Sequence, residues 1–205
     1  DYVKNSILLM SFLLGIVVGG ILAFGKFFMM LWLGKEFEQY ELMLFLVIVY
    51  LPLILPAEVL NQLNITMNKV KGPAIITLLF GILNVTLIII LFQYTNLGVY
   101  SVIIGQLIIT SIRGGVYFPI YSAKIAGVKL STFYPAIAIG IGISGLTYGI
   151  GLIIRNLVYP NSWFKLVFCA FLTVLIAMLI IFLFMNKEKK RLVIGKVSYL
   201  LGTKK

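Results

Sequence analysis

A carboxylate followed by two amides lies within a long apolar stretch of the chain. Glu58, Asn61 and Gln62 occur at positions i, i+3 and i+4, so on a helix their side chains share one face. A carboxylate inside a spanning helix costs about 2.5–3.5 kcal/mol if it faces lipid. We therefore expect this face to line a cavity that holds water, where Glu58 could exchange a proton or pair with a cation. The alternative is that Glu58 pairs with a neighbouring lysine or arginine and has no further role.

Two later apolar runs also carry a single polar face. Asn84 lies in the middle of one run, and Gln106 and Arg113 lie two helical turns apart in the next. Hydrogen bonds between helices are the favoured explanation of the amides, and such a bond contributes only about 0.6 kcal/mol on average. Arg113 is expected inside the membrane. Its guanidinium can bind a diphosphate through two parallel hydrogen bonds, or it can pair with Glu58.

Small residues and one lysine mark the first apolar run. Gly15 and Gly19 have the GxxxG spacing of closely packed helices, and Gly145 and Gly149 repeat that spacing later in the chain. We predict helix packing at both pairs. Lys26 lies on roughly the same face as the first pair, and its long stem allows the ammonium group to reach the headgroups. Lys26 is also a candidate for the cavity.

Six apolar runs are long enough to position these residues in a bilayer, since a spanning helix needs about 20 residues. The runs cover residues 6–33, 42–66, 73–95, 97–121, 133–155 and 163–186. We predict an all-α fold, a polytopic transmembrane helix bundle of six spans. Pro52 and Pro56 are expected to kink the second span. The fifth and sixth runs carry few polar groups, and the sixth is expected to face lipid.

The composition excludes several classes of protein. The chain is 61% hydrophobic, against roughly 45–50% in soluble domains, which indicates an integral membrane protein. There is no histidine, and Cys169 is the single cysteine, so a soft-metal site or a Cys/His nucleophile pair is excluded. We expect no cofactor apart from a coupling ion, H⁺ or Na⁺. Because the sequence starts at Asp1, we expect it to be a fragment of a longer chain.

The net charge of +11 is better explained by membrane topology than by binding to nucleic acid. With six spans, alternate linkers fall on alternate sides of the membrane. Of the 17 lysines and arginines, all but Lys26, Lys35, Arg155 and Lys165 then fall on one side. Cytoplasmic loops carry such an excess, so both termini are predicted to be cytoplasmic. Residues 187–205 form a basic tail that is expected to bind anionic membrane lipids.

Several stretches resemble the bacterial polysaccharide flippases, a family of the multidrug/oligosaccharidyl-lipid/polysaccharide exporter superfamily. The resemblance rests on four strings, GKFFMMLWLGKEF, NKVKGPAIITLLFGILNVTLIIIL, NLGVYSVIIGQLI and IRGGVYFPIYSAKIAGVKLSTFYP. It implies two six-helix lobes around a central cavity, with an optional final pair of helices. Residues 1–128 would then be four helices of the second lobe and 129–186 the final pair. The N-terminal lobe would be missing from this C-terminal fragment.

The resemblance also implies a function and a set of partners. These flippases move undecaprenyl-diphosphate-linked oligosaccharides across the bacterial inner membrane by alternating access, for the assembly of surface polysaccharides such as capsule or the O-antigen of lipopolysaccharide. The implied partners are the lipid-linked oligosaccharide, the N-terminal lobe and polysaccharide polymerase machinery. The cationic, polar cavity of the family maps onto Lys26, Glu58, Asn61, Gln62, Asn84, Gln106 and Arg113.

Three other functions are open at this point. A cation-coupled multidrug exporter of the same superfamily would favour an acidic cavity, whereas the intramembrane charges here are balanced or basic. A membrane glycosyltransferase or polymerase would place catalytic residues in a sizeable loop outside the membrane, and the predicted loops are short. A scaffold without transport activity would have little need for polar faces. We therefore expect a transporter rather than an enzyme.

Overall fold

A computed structural model describes residues 2–184 of the protein, and every regular element in that range is helical. The predicted basic tail, residues 187–205, lies outside the described residues. Six helical segments in the described range are long and apolar enough to cross a membrane. The prediction of an all-α fold with six spans is therefore confirmed, and the predicted boundaries differ from the observed ones by a few residues.

Four of the spans are single helices and two are interrupted. The first, third, fifth and sixth spans are α1 (Tyr2–Trp32), α4 (Lys71–Tyr94), α7 (Tyr134–Leu157) and α8 (Trp163–Phe184). The second span consists of a 3₁₀ turn (Lys35–Tyr40), α2 (Glu41–Ile48) and α3 (Leu51–Thr66). The fourth span consists of α5 (Tyr100–Ile112), a π-helical turn (Arg113–Tyr117) and α6 (Phe118–Ile125).

Proline explains the first interruption. Helix α2 ends at Ile48, and α3 begins at Leu51 with Pro52 in its first turn, where a missing backbone N–H costs nothing. Pro56 lies inside α3 and is fully buried against other helices. The predicted irregularity of the second span is confirmed, and it takes the form of a break between α2 and α3.

A third proline accompanies the second interruption. Pro119 has no N–H to donate to the carbonyl of Gly115, and its ring would clash with that carbonyl in a regular α-helix. The chain widens here instead, and the N–H of Phe118 bonds to the carbonyl of Arg113, five residues back. Wide turns of this kind occur frequently at functional sites. This one begins at Arg113 itself.

Helices α1 and α7 pack closely through small residues. A Cβ atom at Gly15 would lie 2.8 Å from the carbonyl oxygen of Gly140, and one at Gly19 would lie 2.5 Å from that of Ser144. Neither position can carry a side chain unless the backbone moves, so the glycines set the distance between the helices. The predicted packing role of Gly15 and Gly19 is confirmed.

The second glycine pair does not pack as predicted. A Cβ atom at Gly145 or Gly149 would have no heavy atom within 4 Å, so the prediction of close helix contact there is wrong for the described residues. The packed face of α7 is the opposite one, and its buried residues include Gly140, Ser144, Thr147 and Gly151. Small residues occur on both faces of α7, but only one of the two faces packs against α1.

Helix α8 has a packed face that the sequence did not suggest. Leu166, Cys169, Thr173 and Ala177 follow a helical spacing and are all buried. Leu166 and Cys169 belong to a cluster with residues of α1 and α7. The prediction that the sixth span faces lipid is therefore wrong for this face, where Thr173 lies against Gly151 of α7.

The two ends of the bundle carry different charges. The glutamate end is where α1 finishes and α2 starts, and it carries Glu36, Glu38 and Glu41. The opposite lysine end lies around the start of α1 and the α3–α4 and α6–α7 connections, and its exposed cations are Lys4, Lys69, Lys71, Lys124 and Lys129. Which end faces the cytoplasm stays a prediction.

Candidate functional site

An ion pair joins the second span to the fourth. The Nη2 atom of Arg113 lies 3.7 Å from Oε1 of Glu58, and the two side chains are 28% and 46% exposed. The guanidinium carbon of Arg113 also lies 5.7 Å from the centre of the Phe118 ring, close enough for a cation–π contact. Both charges lie within apolar spans, and each is partly accessible. The described residues therefore do not enclose the pair completely.

The glycines after Arg113 bring its helix close to α3. A Cβ atom at Gly114 would lie 2.7 Å from Cγ2 of Ile54, and one at Gly115 would lie 3.1 Å from Cδ2 of Leu53. Larger residues would separate the π-helical turn from α3 and carry Arg113 away from Glu58. The position of the ion pair thus follows from the Gly114–Gly115 dipeptide in the fourth span.

The two amides after Glu58 lie on the same helix. Asn61 is half-buried and Gln62 is exposed, and both lie about one turn beyond Glu58 on α3. The Thr66 hydroxyl donates a hydrogen bond to the backbone carbonyl of Gln62. The structure thus keeps Glu58, Asn61 and Gln62 as neighbours on α3, and Arg113 of the fourth span pairs with Glu58.

A buried polar pair that the sequence analysis missed lies farther along the same two spans. Asn64 and Ser122 are fully buried, and the Ser122 hydroxyl donates a hydrogen bond to Oδ1 of Asn64 over 3.0 Å. The Nδ2 atom of Asn64 is buried without a hydrogen-bond partner among residues 2–184. The repeat of Pro56, Leu60 and Asn64 every four residues is the sequence signal that marks this buried face.

Asn84 and Gln106 form a separate pair between α4 and α5. The Nδ2 atom of Asn84 donates a hydrogen bond to Oε1 of Gln106 over 2.8 Å. Gly105 allows this approach, because a Cβ atom there would lie 2.7 Å from Cγ1 of Ile88. The favoured explanation of these amides as an interhelical hydrogen bond is confirmed. The structure does not bring them into contact with Glu58 or Arg113.

Lys26 belongs to a charged network at the glutamate end. Its Nζ atom lies 2.8 Å from Glu38 Oε1 and 3.3 Å from Glu41 Oε2. Arg155 Nη1 lies 3.3 Å from Glu41 Oε1 and donates a hydrogen bond to the carbonyl of Ala23 over 3.0 Å. The network connects α1, the 3₁₀ turn, α2 and α7. Sequence reasoning placed Lys26 and Arg155 on one side of the membrane but did not pair them with Glu38 and Glu41.

The predicted site residues therefore form three groups rather than one pocket. Glu58, Asn61, Gln62 and Arg113 form the first, Asn84 and Gln106 the second, and Lys26 belongs to the third. Each group lies at a different contact between helices. The first group has the chemistry of a candidate site, because it combines a carboxylate and two amides on α3 with a cation at the start of the π-helical turn.

Comparisons with known proteins support only a coarse assignment. The chain is 26% identical over 167 residues to a Bacillus subtilis (strain 168) protein called "Uncharacterized membrane protein EpsK". The alignment covers 82% of this chain and 33% of EpsK, so the chain spans about a third of that relative's length. No family model and no solved structure matches the chain. This is a multi-pass membrane protein. The six spans and the similarity to EpsK both support that statement.

Proposed function

We propose that this chain is part of a transporter that moves lipid-linked oligosaccharide across the bacterial inner membrane by alternating access. The single observation that carries the proposal is the Glu58–Arg113 pair, which places a partly accessible cation and carboxylate inside two apolar spans. The resemblance of the sequence to polysaccharide flippases supplies the substrate class. The N-terminal lobe of that family would complete the cavity.

A substrate of this kind explains why charges are kept in the membrane. Sugar hydroxyls and two phosphate groups lose their hydration when they enter hydrocarbon, at a large cost in free energy. A cavity that holds water and opens to each side in turn avoids most of that cost. Arg113 would bind the diphosphate through its planar guanidinium, while Asn61 and Gln62 would donate hydrogen bonds to sugar hydroxyls.

The carboxylate gives the site a means of coupling to an ion gradient. Glu58 holds Arg113 when the site is empty, and a diphosphate would compete for the same guanidinium. Once released, the Glu58 carboxylate would take up H⁺ or bind Na⁺, so that substrate binding and ion binding are linked. Transport of this kind needs no covalent chemistry, and the proposal is accordingly a transporter rather than an enzyme.

Complementation of a deletion strain tests the proposal. Full-length protein carrying Arg113→Ala or Glu58→Gln is expected to restore little surface polysaccharide, measured against wild type at equal protein abundance. Lys35→Gln is the control, since Lys35 is exposed and forms no ion pair within residues 2–184. Wild-type levels of surface polysaccharide in both site variants would refute the assignment of the site.

A cation-coupled multidrug exporter is a second candidate, and one observation favours it. The Glu58 side chain is more exposed than that of Arg113, at 46% against 28%, so an organic cation could reach the carboxylate. Drug susceptibility and surface polysaccharide should be measured in the same deletion strain. Loss of polysaccharide without a change in susceptibility supports the flippase, and the reverse result supports the exporter.

A further inference from the structure

The lysine end of the bundle carries positive charge that the described residues do not neutralise. Lys69, Lys71, Lys124 and Lys129 are exposed, and none of them forms an ion pair within residues 2–184. The described carboxylates lie elsewhere, at the glutamate end or in the pair with Arg113. This end therefore attracts an anion from outside the described chain.

A groove of about 300 Å³ opens beside one of these lysines. Helix α4 contributes Phe80 to its wall, and the fourth span contributes the rest. The remaining apolar wall consists of Ile112, Val116 and Ile120, and Lys124 lies on the same lining. Val116 is 49% exposed, so the described residues leave this wall of the groove open. An apolar groove beside a single cation fits a molecule that has a hydrocarbon chain and an anionic head.

Two tyrosines connect the groove to the neighbouring basic loop. The rings of Tyr117 and Tyr121 stack with their centres 5.2 Å apart, and both line the groove. The Tyr121 hydroxyl donates a hydrogen bond to the backbone carbonyl of Lys69 over 3.4 Å. Gly72 packs directly against this hydroxyl, where a Cβ atom would clash. The loop that carries Lys69 and Lys71 is therefore held next to the groove.

We propose that this groove binds one anionic phospholipid of the surrounding leaflet. One acyl chain lies along Phe80, Val116 and Ile120, and the phosphate interacts with Lys124 and with the basic α3–α4 loop. Tyrosine side chains commonly occupy the boundary between headgroups and hydrocarbon, and Tyr117 and Tyr121 suit that position. Charge complementarity selects the headgroup, because a zwitterionic lipid brings a cation of its own to an end that already has an excess of lysine. The proposal is independent of what the protein transports.

Lipid binding to the full-length protein in detergent tests this proposal by native mass spectrometry. Phosphatidylglycerol and phosphatidylcholine with identical acyl chains serve as the two probes. Wild type is expected to retain phosphatidylglycerol at least five-fold better than phosphatidylcholine. Lys124→Gln should abolish that preference, and Val116→Trp, which fills the groove, should reduce retention of both lipids. Lys165→Gln is the matched control, an exposed lysine outside the groove, and should behave as wild type.

Each other outcome contradicts the proposal in a recognisable way. Equal retention of the two lipids by wild type would show that the groove does not select charge. A preference that survives Val116→Trp would show that surface lysines attract headgroups without the groove. Displacement of the lipid by millimolar inorganic phosphate would assign the site to free phosphate, and no retention at all would indicate that another protein segment covers the groove. Thermal unfolding of each variant verifies that it folds.

Discussion

Glu58 and Arg113 are 55 residues apart in the chain, and their charged atoms lie 3.7 Å apart between two irregular spans. The break in the second span lies at residues 49–50, eight residues before Glu58, and the π-helical turn of the fourth span starts at Arg113 itself. Irregular backbone is tolerated in a membrane where it borders protein or a watered cavity. Arg113 thus lies at such an irregular position, whereas Glu58 lies within the continuous helix α3.

The contact between α1 and α7 can be tested at a single glycine. Gly19→Ala would place a methyl group 2.5 Å from the backbone oxygen of Ser144, and backbone cannot move aside cheaply. We expect a loss of about 1–3 kcal/mol in stability, as for other overpacked contacts. Thermal unfolding of the full-length protein in lipid nanodiscs measures it. Gly20→Ala is the control, since a Cβ atom there would meet nothing within 4 Å. Equal effects of the two substitutions would contradict the packing described above.

The charged network at the glutamate end predicts a modest effect that depends on salt. Glu41→Gln removes the carboxylate shared by Lys26 and Arg155 and should cost about 0.5–1 kcal/mol, because the side chains are partly exposed. The difference from wild type should shrink as NaCl is raised, since salt screens exposed charges. Glu36→Gln is the matched control, an exposed glutamate outside the network. A loss that does not respond to salt would argue against an electrostatic origin.

The buried pair of Asn64 and Ser122 predicts an asymmetry between single and double variants. Ser122→Ala leaves the Asn64 carbonyl oxygen buried without its donor and should cost about 1–3 kcal/mol. Asn64→Leu combined with Ser122→Ala removes both polar groups and should recover most of that loss. Ser101→Ala is the control, because the Ser101 hydroxyl is buried without a hydrogen-bond partner within residues 2–184. Chemical or thermal unfolding of wild type, the two single variants Ser122→Ala and Asn64→Leu, the double variant and the control measures the losses, and additive losses would contradict coupling of the pair.

The sequence predicts the number of spans well, because the thickness of the hydrocarbon layer demands about 20 apolar residues per helix. It does not predict which face of α7 is packed. Gly145 and Gly149 have the GxxxG spacing, yet Gly140 and Gly151 lie on the packed face. Small residues recur at helical spacing on both faces, and only the partner helix distinguishes them. The π-helical turn was missed for a similar reason, since Pro119 permits either a kink or a widened turn.

The candidate site was predictable where spacing within one helix defines it. Glu58, Asn61 and Gln62 share a face by helix geometry alone, and pairing with Arg113 was one of two alternatives. Asn64 does not lie on the face that Glu58 defines and belongs instead to the buried repeat of Pro52, Pro56, Leu60 and Asn64. Contacts between distant helices, such as that of Arg155 in α7 with Glu41 in α2, depend on tertiary packing that a single sequence does not determine.

Transport in a reconstituted system tests the central claim most directly. Full-length protein in proteoliposomes should carry undecaprenyl-diphosphate-linked oligosaccharide between leaflets, measured as the fraction that becomes accessible to an enzyme added outside. We expect Arg113→Gln to reduce the rate at least ten-fold while thermal stability stays near that of wild type, and Lys35→Gln to leave the rate unchanged. A rate for Arg113→Gln equal to that of wild type, or no transport by wild type, would contradict the account.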